Sequence, residues 1–205
     1  MMRILVTIDG PSGVGKTTLG SLLAKDLGAS FFSSGKLYRT IASYLLHNPE
    51  FLVHDLSLSI DNELNIILND TSFSESELYS KEINSKSSEI AKQKDIREIV
   101  SKSLLSLYEH LSTGLIIEGR DMGTVVFPFA NLKIYLDADI KVRAQRRLKQ
   151  SNDSETMKDL QIRDENDMNR DQSPLKIPEN SLYIDNTNMD MVEVVKIVKE
   201  NLKLQ

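Results

Sequence analysis

No cysteine occurs in the chain, so neither a disulfide nor a thiolate-held metal can form. The absence suits a reducing compartment. Long apolar runs are missing too. Ile4 to Ile8, between Arg3 and Asp9, is a short run, where a secretory signal needs a longer apolar segment and a cleavage site. No segment reaches the roughly 18 apolar residues of a membrane span. Positive charge is not in excess: 25 Lys and Arg against 30 Asp and Glu leave a formal net charge of −5. General nucleic-acid binding rests on neutralising phosphates, so this balance argues against it. His47, His54 and His110 are scattered, without triad or metal-ligand spacing, and read as structural. A cytoplasmic monomer with no membrane or nucleic-acid partner is expected. At 205 residues the chain fits one domain, with room for a small inserted lobe.

The apolar residues that are present fall into strands alternating with helices. Ile4 to Ile8 reads as a buried parallel strand. Leu19, Leu22, Leu23 and Leu27 follow at helical spacing and stop at Gly28. Phe31-Phe32 is a weak second strand, and Leu37 to Leu46 is a helix closed by Asn48-Pro49. Leu56 to Ile60 and Leu64 to Leu68 flank Asp61-Asn62-Glu63 as a small hairpin. Ser72 to Ser88 is serine-rich and charged, a connector or a short helix; Ile96 to Leu111 is a stronger helix. Leu115 to Ile117, Leu132 to Leu136 and Leu182 to Ile184 are further strands, followed by Glu118, Asp137 and Asp185. Ile140 to Gln150 and Met157 to Asn169 are charged helices, and Met191 to Leu204 is an amphipathic closing helix. The alternation predicts a parallel sheet with helices on both faces. Functional groups then belong at the carboxyl ends of the strands, where Asp9, Glu118 and Asp137 fall.

Gly10-Pro11-Ser12-Gly13-Val14-Gly15-Lys16-Thr17 satisfies G-x-x-x-x-G-K-[ST] in full. Glycines let the backbone turn its N–H groups onto phosphate oxygens. The following helix aims its positive end at the same anion. Lys16 reaches the β- and γ-phosphates, and Thr17 or Thr18 supplies a hydroxyl to magnesium. A strand before and a helix after give the motif its required context. A GTP switch shares this loop but needs an Asn-Lys-x-Asp segment, which is lacking. An ATP-gated binding module stays open.

A kinase with a phosphate acceptor needs a second anion site, for which the arginine fork is suited. Ser33-Ser34-Gly35-Lys36-Leu37-Tyr38-Arg39 offers one at a helix start, though an ordinary capped helix with a surface arginine explains it equally. Glu118-Gly119-Arg120-Asp121-Met122-Gly123-Thr124 clusters charge beside glycines at a strand end, which packing has little need for. Arg163, Asp167 and Arg170 share a helix face. Taken alone, that stripe reads as a solvated salt-bridged surface. Arg143, Arg146 and Arg147 read as another solvated face or as a lid.

In this order the elements resemble the bacterial cytidylate kinase family, from Ile4 to about Val198. The resemblance is carried by GRDMGTVVFP at Gly119 to Pro128, KIYLDA at Lys133 to Ala138, VRAQRR at Val142 to Arg147, and R-D-x-x-D-x-x-R from Arg163 with Ser173-Pro174-Leu175 behind it. IDGPSG at Ile8 to Gly13 and S-G-x-x-Y-R at Ser34 to Arg39 add to it.

The resemblance implies transfer of the γ-phosphate of ATP, with Mg2+, to CMP or dCMP. It implies an α/β three-layer phosphate-loop fold with a five-stranded parallel sheet, a core (1–35, 112–140, 180–205), a nucleotide-binding insert (about 36–111) and a helical lid (about 141–172). The donor site would be Gly10 to Thr18. Ser34, Arg39, Ser88, Arg97, Arg120, Asp121, Arg163, Asp167 and Arg170 would hold the acceptor, and Lys16, Arg120, Asp121, Arg147 and Arg163 would act in transfer. The family usually carries Asp where Ser33 and Phe129 stand, and often a small residue where Thr17 stands.

Overall fold

A computed structural model describes residues 3–73, 78–150 and 156–202. The chain divides into two compact units, Met1–Phe32 with Thr113–Gln205, and Ser33–Ser112.

The first unit is built on a five-stranded sheet of order β2-β6-β1-β7-β8. Its strands are β1 (Leu5–Asp9), β2 (Ser30–Ser33), β6 (Leu115–Gly119), β7 (Leu132–Asp137) and β8 (Leu182–Asp185). β1 is central and runs parallel to β6 and β7 on either side; β7 runs parallel to β8. Alternation along β1 divides its work. Val6 and Ile8 join a core with Leu19 and Leu23 of α1 (Lys16–Leu27) and Val194 and Val198 of α7 (Met191–Leu202). Thr7 and Asp9 face the other way, against Gly123 in a single π-type turn at Met122–Val126. α5 (Ile140–Gln150) and α6 (Met157–Asn169) complete this unit. α6 opens with a reciprocal cap: Thr156 Oγ1 accepts from the Asp159 N–H, and Asp159 accepts from the Thr156 N–H.

The second unit holds α2 (Gly35–His47), a three-stranded sheet of β3 (Leu58–Ile60), β4 (Ile66–Leu68) and β5 (Thr71–Ser72), then α3 (Lys81–Ile90) and α4 (Lys94–His110). The expected hairpin is present as antiparallel β3 and β4. A third strand, β5, pairs with β4 across a turn in which Asn69 and Asp70 take φ of 47° and 60°. Two exposed polar residues carry no apolar pattern, so only the turn chemistry foretells β5. The serine-rich stretch resolves, beyond residues 74–77, which lie outside the described residues, into helix α3. Ser80 caps it by accepting from the Ile83 N–H at 3.1 Å. Its buried stripe is only Ile83, Ser87 and Ile90, which explains the weak periodicity. The closing helix is described to Leu202.

Candidate active site

The phosphate loop joins β1 to α1 at the carboxyl edge of the sheet. Gly10 has φ of 147°, and a Cβ there would lie 2.0 Å from the Leu136 carbonyl oxygen; the backbone passes too close to β7 for any side chain. Lys16 is buried, and its Nζ donates to the carbonyl oxygens of Gly10 at 2.8 Å and Pro11 at 2.7 Å. Burial, with the Arg120 guanidinium nearby, pushes the Lys16 amine down to about 7. Arg163 adds to that downward push, so Lys16, Arg120 and Arg163 form one positive field.

Thr17 Oγ1 donates to Glu118 Oε1 at 2.7 Å. The threonine that faces the second acidic element is therefore Thr17, although both Thr17 and Thr18 are exposed on α1. A hydroxyl and a carboxylate here fit a hard divalent cation that arrives with the nucleotide phosphates and keeps several waters. Among the described residues no three His, Cys, Asp or Glu side chains gather as a preformed metal cage.

Beyond Glu118 the charges alternate. Arg120 Nε donates to Asp167 Oδ2 at 2.7 Å. Asp167 Oδ1 lies 3.7 Å from Arg170, and Arg170 lies 3.8 Å from Asp121. Arg170 is also held by the Ser173 carbonyl, 2.7 Å from its Nε, and the Leu175 N–H donates to the Asp167 carbonyl. This explains why Ser173-Pro174-Leu175 follows the helix. Burial raises the Asp167 carboxyl, but the Arg120 charge and hydrogen bond outweigh it and hold the group low.

The stripe on α6 is thus not a solvated face. Leu160, Asp164 and Asp167 turn inward at spacings of four and three. Arg143 on α5 is likewise buried, against the reading of that helix as a solvated cationic face. Its NH1 donates to Asp164 Oδ2 and to the Ser12 carbonyl at 3.1 Å, and its Nε to the Ala138 carbonyl at 2.9 Å. Arg146 NH1 donates to Asn186 Oδ1 at 2.7 Å, while Asn186 Nδ2 donates to the Val14 carbonyl at 2.8 Å. Arg147 is half-buried on the same helix.

The remaining expected residues lie in the second unit. Ser34 is buried at the start of α2, and its hydroxyl makes no capping hydrogen bond. Arg39 lies over the Tyr79 ring, 4.6 Å from its centroid, with NH2 donating to the Tyr79 hydroxyl at 3.2 Å. Arg97 is buried, 5.6 Å from the Tyr38 ring centroid, and its NH1 donates to the Ala91 carbonyl at 3.0 Å. Ser88 Oγ donates to the Asn84 carbonyl on α3.

Sequence reasoning placed Asp9 at a functional strand end without its partners, and missed Asp164 and Asn186 as parts of the site and Tyr79 beside Arg39. Asp9 is fully buried, and its carboxylate accepts the N–H groups of Met122 at 2.9 Å and Gly123 at 2.7 Å. It thereby ties the entry to the phosphate loop to the segment carrying Arg120 and Asp121. A Cβ on Gly123 would lie 3.2 Å from Asp9 Oδ2 and 2.8 Å from Thr7 Oγ1, so glycine permits the approach. Burial pushes the Asp9 carboxyl up to about 6 despite those two donors. A carboxyl raised from 3.8 to about 6 contributes stability that is full below 3.8 and is lost as pH rises through 6. Asp9→Asn removes the titration. Chemical denaturation at pH 4, 5, 6 and 7 should show the parent losing about 2 kcal/mol relative to the variant between pH 4 and 6, with the difference levelling off above pH 7. A parallel pair of pH profiles refutes the assignment.

Fold and site together define a phosphate-loop kinase: the nucleotide loop at the carboxyl edge of a parallel sheet, with a run of paired arginines and carboxylates beyond Glu118. Solved structures of a gluconokinase from Sinorhizobium meliloti (TM-score 0.53, 12% identity, 98% of this chain and 92% of that one) and a shikimate kinase from Bacteroides thetaiotaomicron (TM-score 0.50, 14% identity, 98% of each) share the fold. The family model for cytidylate kinase matches residues 6–204. Cytidylate kinase 1 of Borrelia garinii subsp. bavariensis is 36% identical over 216 residues, spanning 98% of both chains. The cytidylate kinases of Aeromonas salmonicida (37%, 96% of this chain and 93% of its own) and Mycoplasmopsis synoviae (36%, 98% and 99%) are similar to the same extent. The chain belongs to the cytidylate kinase family, as the sequence motifs led one to expect. Among the described residues no helix is long and apolar enough to cross a membrane.

Proposed function

We propose that the chain transfers the γ-phosphate of ATP, bound with Mg2+, to CMP or dCMP, giving ADP and CDP or dCDP. The observation that carries this is the run of charges Arg120, Asp167, Arg170 and Asp121 beside Lys16. A nucleotide gate has no use for a second anion site. On this reading Gly10 to Thr18 cradle the ATP phosphates, and Thr17 with Glu118 would hold the metal, which neutralises charge on them when bound. Ser34, at the end of the core segment 1–35, and Arg39, Ser88 and Arg97 of the insert of about 36–111 hold the acceptor. Arg120, Asp121, Arg163, Asp167 and Arg170 hold it from the core and the lid of about 141–172. Arg147 adds charge as the lid closes. The protein works as a cytoplasmic monomer.

An acceptor phosphate is already an anion at neutral pH, so transfer needs no general base. Positioning and charge neutralisation supply the rate. Lys16 and Arg163 face the transferring group; the Lys16 amine, depressed by burial first and then by the Arg120 and Arg163 charges, is restored to its charged form by phosphate. Excluding water from the closed site prevents hydrolysis of ATP.

Coupled ADP release measured with CMP, dCMP, UMP, AMP and no acceptor tests the reading. CMP and dCMP should stimulate release far above the acceptor-free rate. Stimulation by neither overturns the proposal, and release indifferent to every acceptor favours a gate.

A further inference from the structure

The acceptor-side residues Arg163 and Asp167 flank a residue that touches the donor loop. Asp164, buried on α6 between them, accepts the Ser12 N–H through Oδ1 at 3.1 Å. Its Oδ2 is held by Arg143, whose NH1 also donates to the Ser12 carbonyl. Both polar groups of the Ser12 backbone are therefore committed to one buried ion pair, and Arg143 is anchored in turn to the Ala138 carbonyl at the end of β7. Nearly one turn further along α6, Asp167 holds Arg120.

We propose that Asp164 is a positioning residue that couples acceptor binding to the phosphate loop, so that seating ATP on the loop presets α6 for the monophosphate and the reverse. This rests on the reading of the site as an ATP and cytidine monophosphate kinase. The physical ground is continuity. Ser12, Asp164 and Arg143 are each buried, a buried charge must keep its partner, and a helix turn is stiff. A change in the phosphate loop as its N–H groups wrap phosphate cannot leave Asp164 behind without baring a buried carboxylate. Asp164 carries Arg163 and Asp167 with it. Coupling of this kind is reciprocal between the two ligands.

Asp164→Asn keeps the volume and an acceptor for the Ser12 N–H while removing the charge that holds Arg143. Arg143→Lys keeps the charge and loses the fork that spans Asp164 and Ser12. The measurement is calorimetric titration of CMP, with and without saturating magnesium β,γ-imido-ATP, for the parent and both variants. The parent should bind CMP several-fold more tightly with the analogue present. In both variants that ratio should fall to about one, whatever each separate affinity becomes. A merely structural loss would weaken both binary affinities without abolishing the ratio, while a lower melting temperature is expected of Asp164→Asn on either account. Full coupling in either folded variant, or no coupling in a parent that binds both nucleotides, overturns the proposal. A parent that binds no cytidine monophosphate overturns the kinase reading itself.

Discussion

In Lys16→Ala, turnover of ATP with CMP falls by about a thousandfold or more, the scale of losing one preorganised charge at a developing anion. Two features make this the largest expected loss. Lys16 is buried at the mouth of the loop, where water cannot replace it. It also shares its field with Arg120 and Arg163, which burial and repulsion make costly to keep together without an anion. The amine pushed from 10.5 down to about 7 has a definite linkage. Relative to pH above 10.5, its contribution to the stability of the free protein is lost as pH falls toward 7 and is constant below that. Phosphates restore the charged form, so ATP binding at pH 8.5 takes up close to one proton. Calorimetry in buffers of different ionisation enthalpy reads that uptake directly, and in Lys16→Ala it should vanish together with turnover. Uptake that persists in the variant assigns the proton elsewhere.

What the chain revealed unaided follows from the range of each interaction. The phosphate loop is a contiguous motif, and the strands of the main sheet are apolar runs, so both were legible. Arg120 and Asp121 stood out because charge beside glycine at a strand end has no packing purpose. Asp164 did not, since its partner Ser12 lies 152 residues away and its neighbours on α6 are charged. The same holds for Asp9, whose partners Met122 and Gly123 are 113 and 114 residues distant. A carboxylate closing a buried strand was the available signal, and it pointed to an edge rather than to a partner. The α6 stripe shows why local pattern misleads here. Its inward face is Leu160, Asp164 and Asp167, and two carboxylates look like a solvated face until arginines from other segments are brought to them. The doubled threonine was undecidable from the motif, and a single side-chain contact, Thr17 to Glu118, distinguishes the two.

Removal of Arg120 or Arg163 has the second largest expected effect, and it separates acceptor from donor. Arg120→Ala loses the guanidinium that Asp167 holds in place. Arg163→Ala loses the cation whose field reaches both Lys16 and Asp167. For each, kcat/KM for CMP should fall by about a hundredfold to a thousandfold, while the affinity for magnesium ATP analogue stays within about twofold. An unchanged CMP dependence in both variants refutes the acceptor assignment. Arg120→Ala carries a second signature that loss of a surface charge would not. The Asp167 carboxyl is held low chiefly by Arg120, so its contribution to stability is present above its unfolded value and is lost as pH falls through the folded one. Without Arg120 only the more distant Arg170, at 3.7 Å, and Arg163 support it. The variant should therefore be less stable than the parent at neutral pH and lose less stability on acidification, shifting its acid limb so that the two profiles converge toward low pH. Denaturation curves between pH 3 and 7 measure the shift. Its absence would mean that the contact between Arg120 and Asp167 does not persist in solution, and that the two residues reach the acceptor independently.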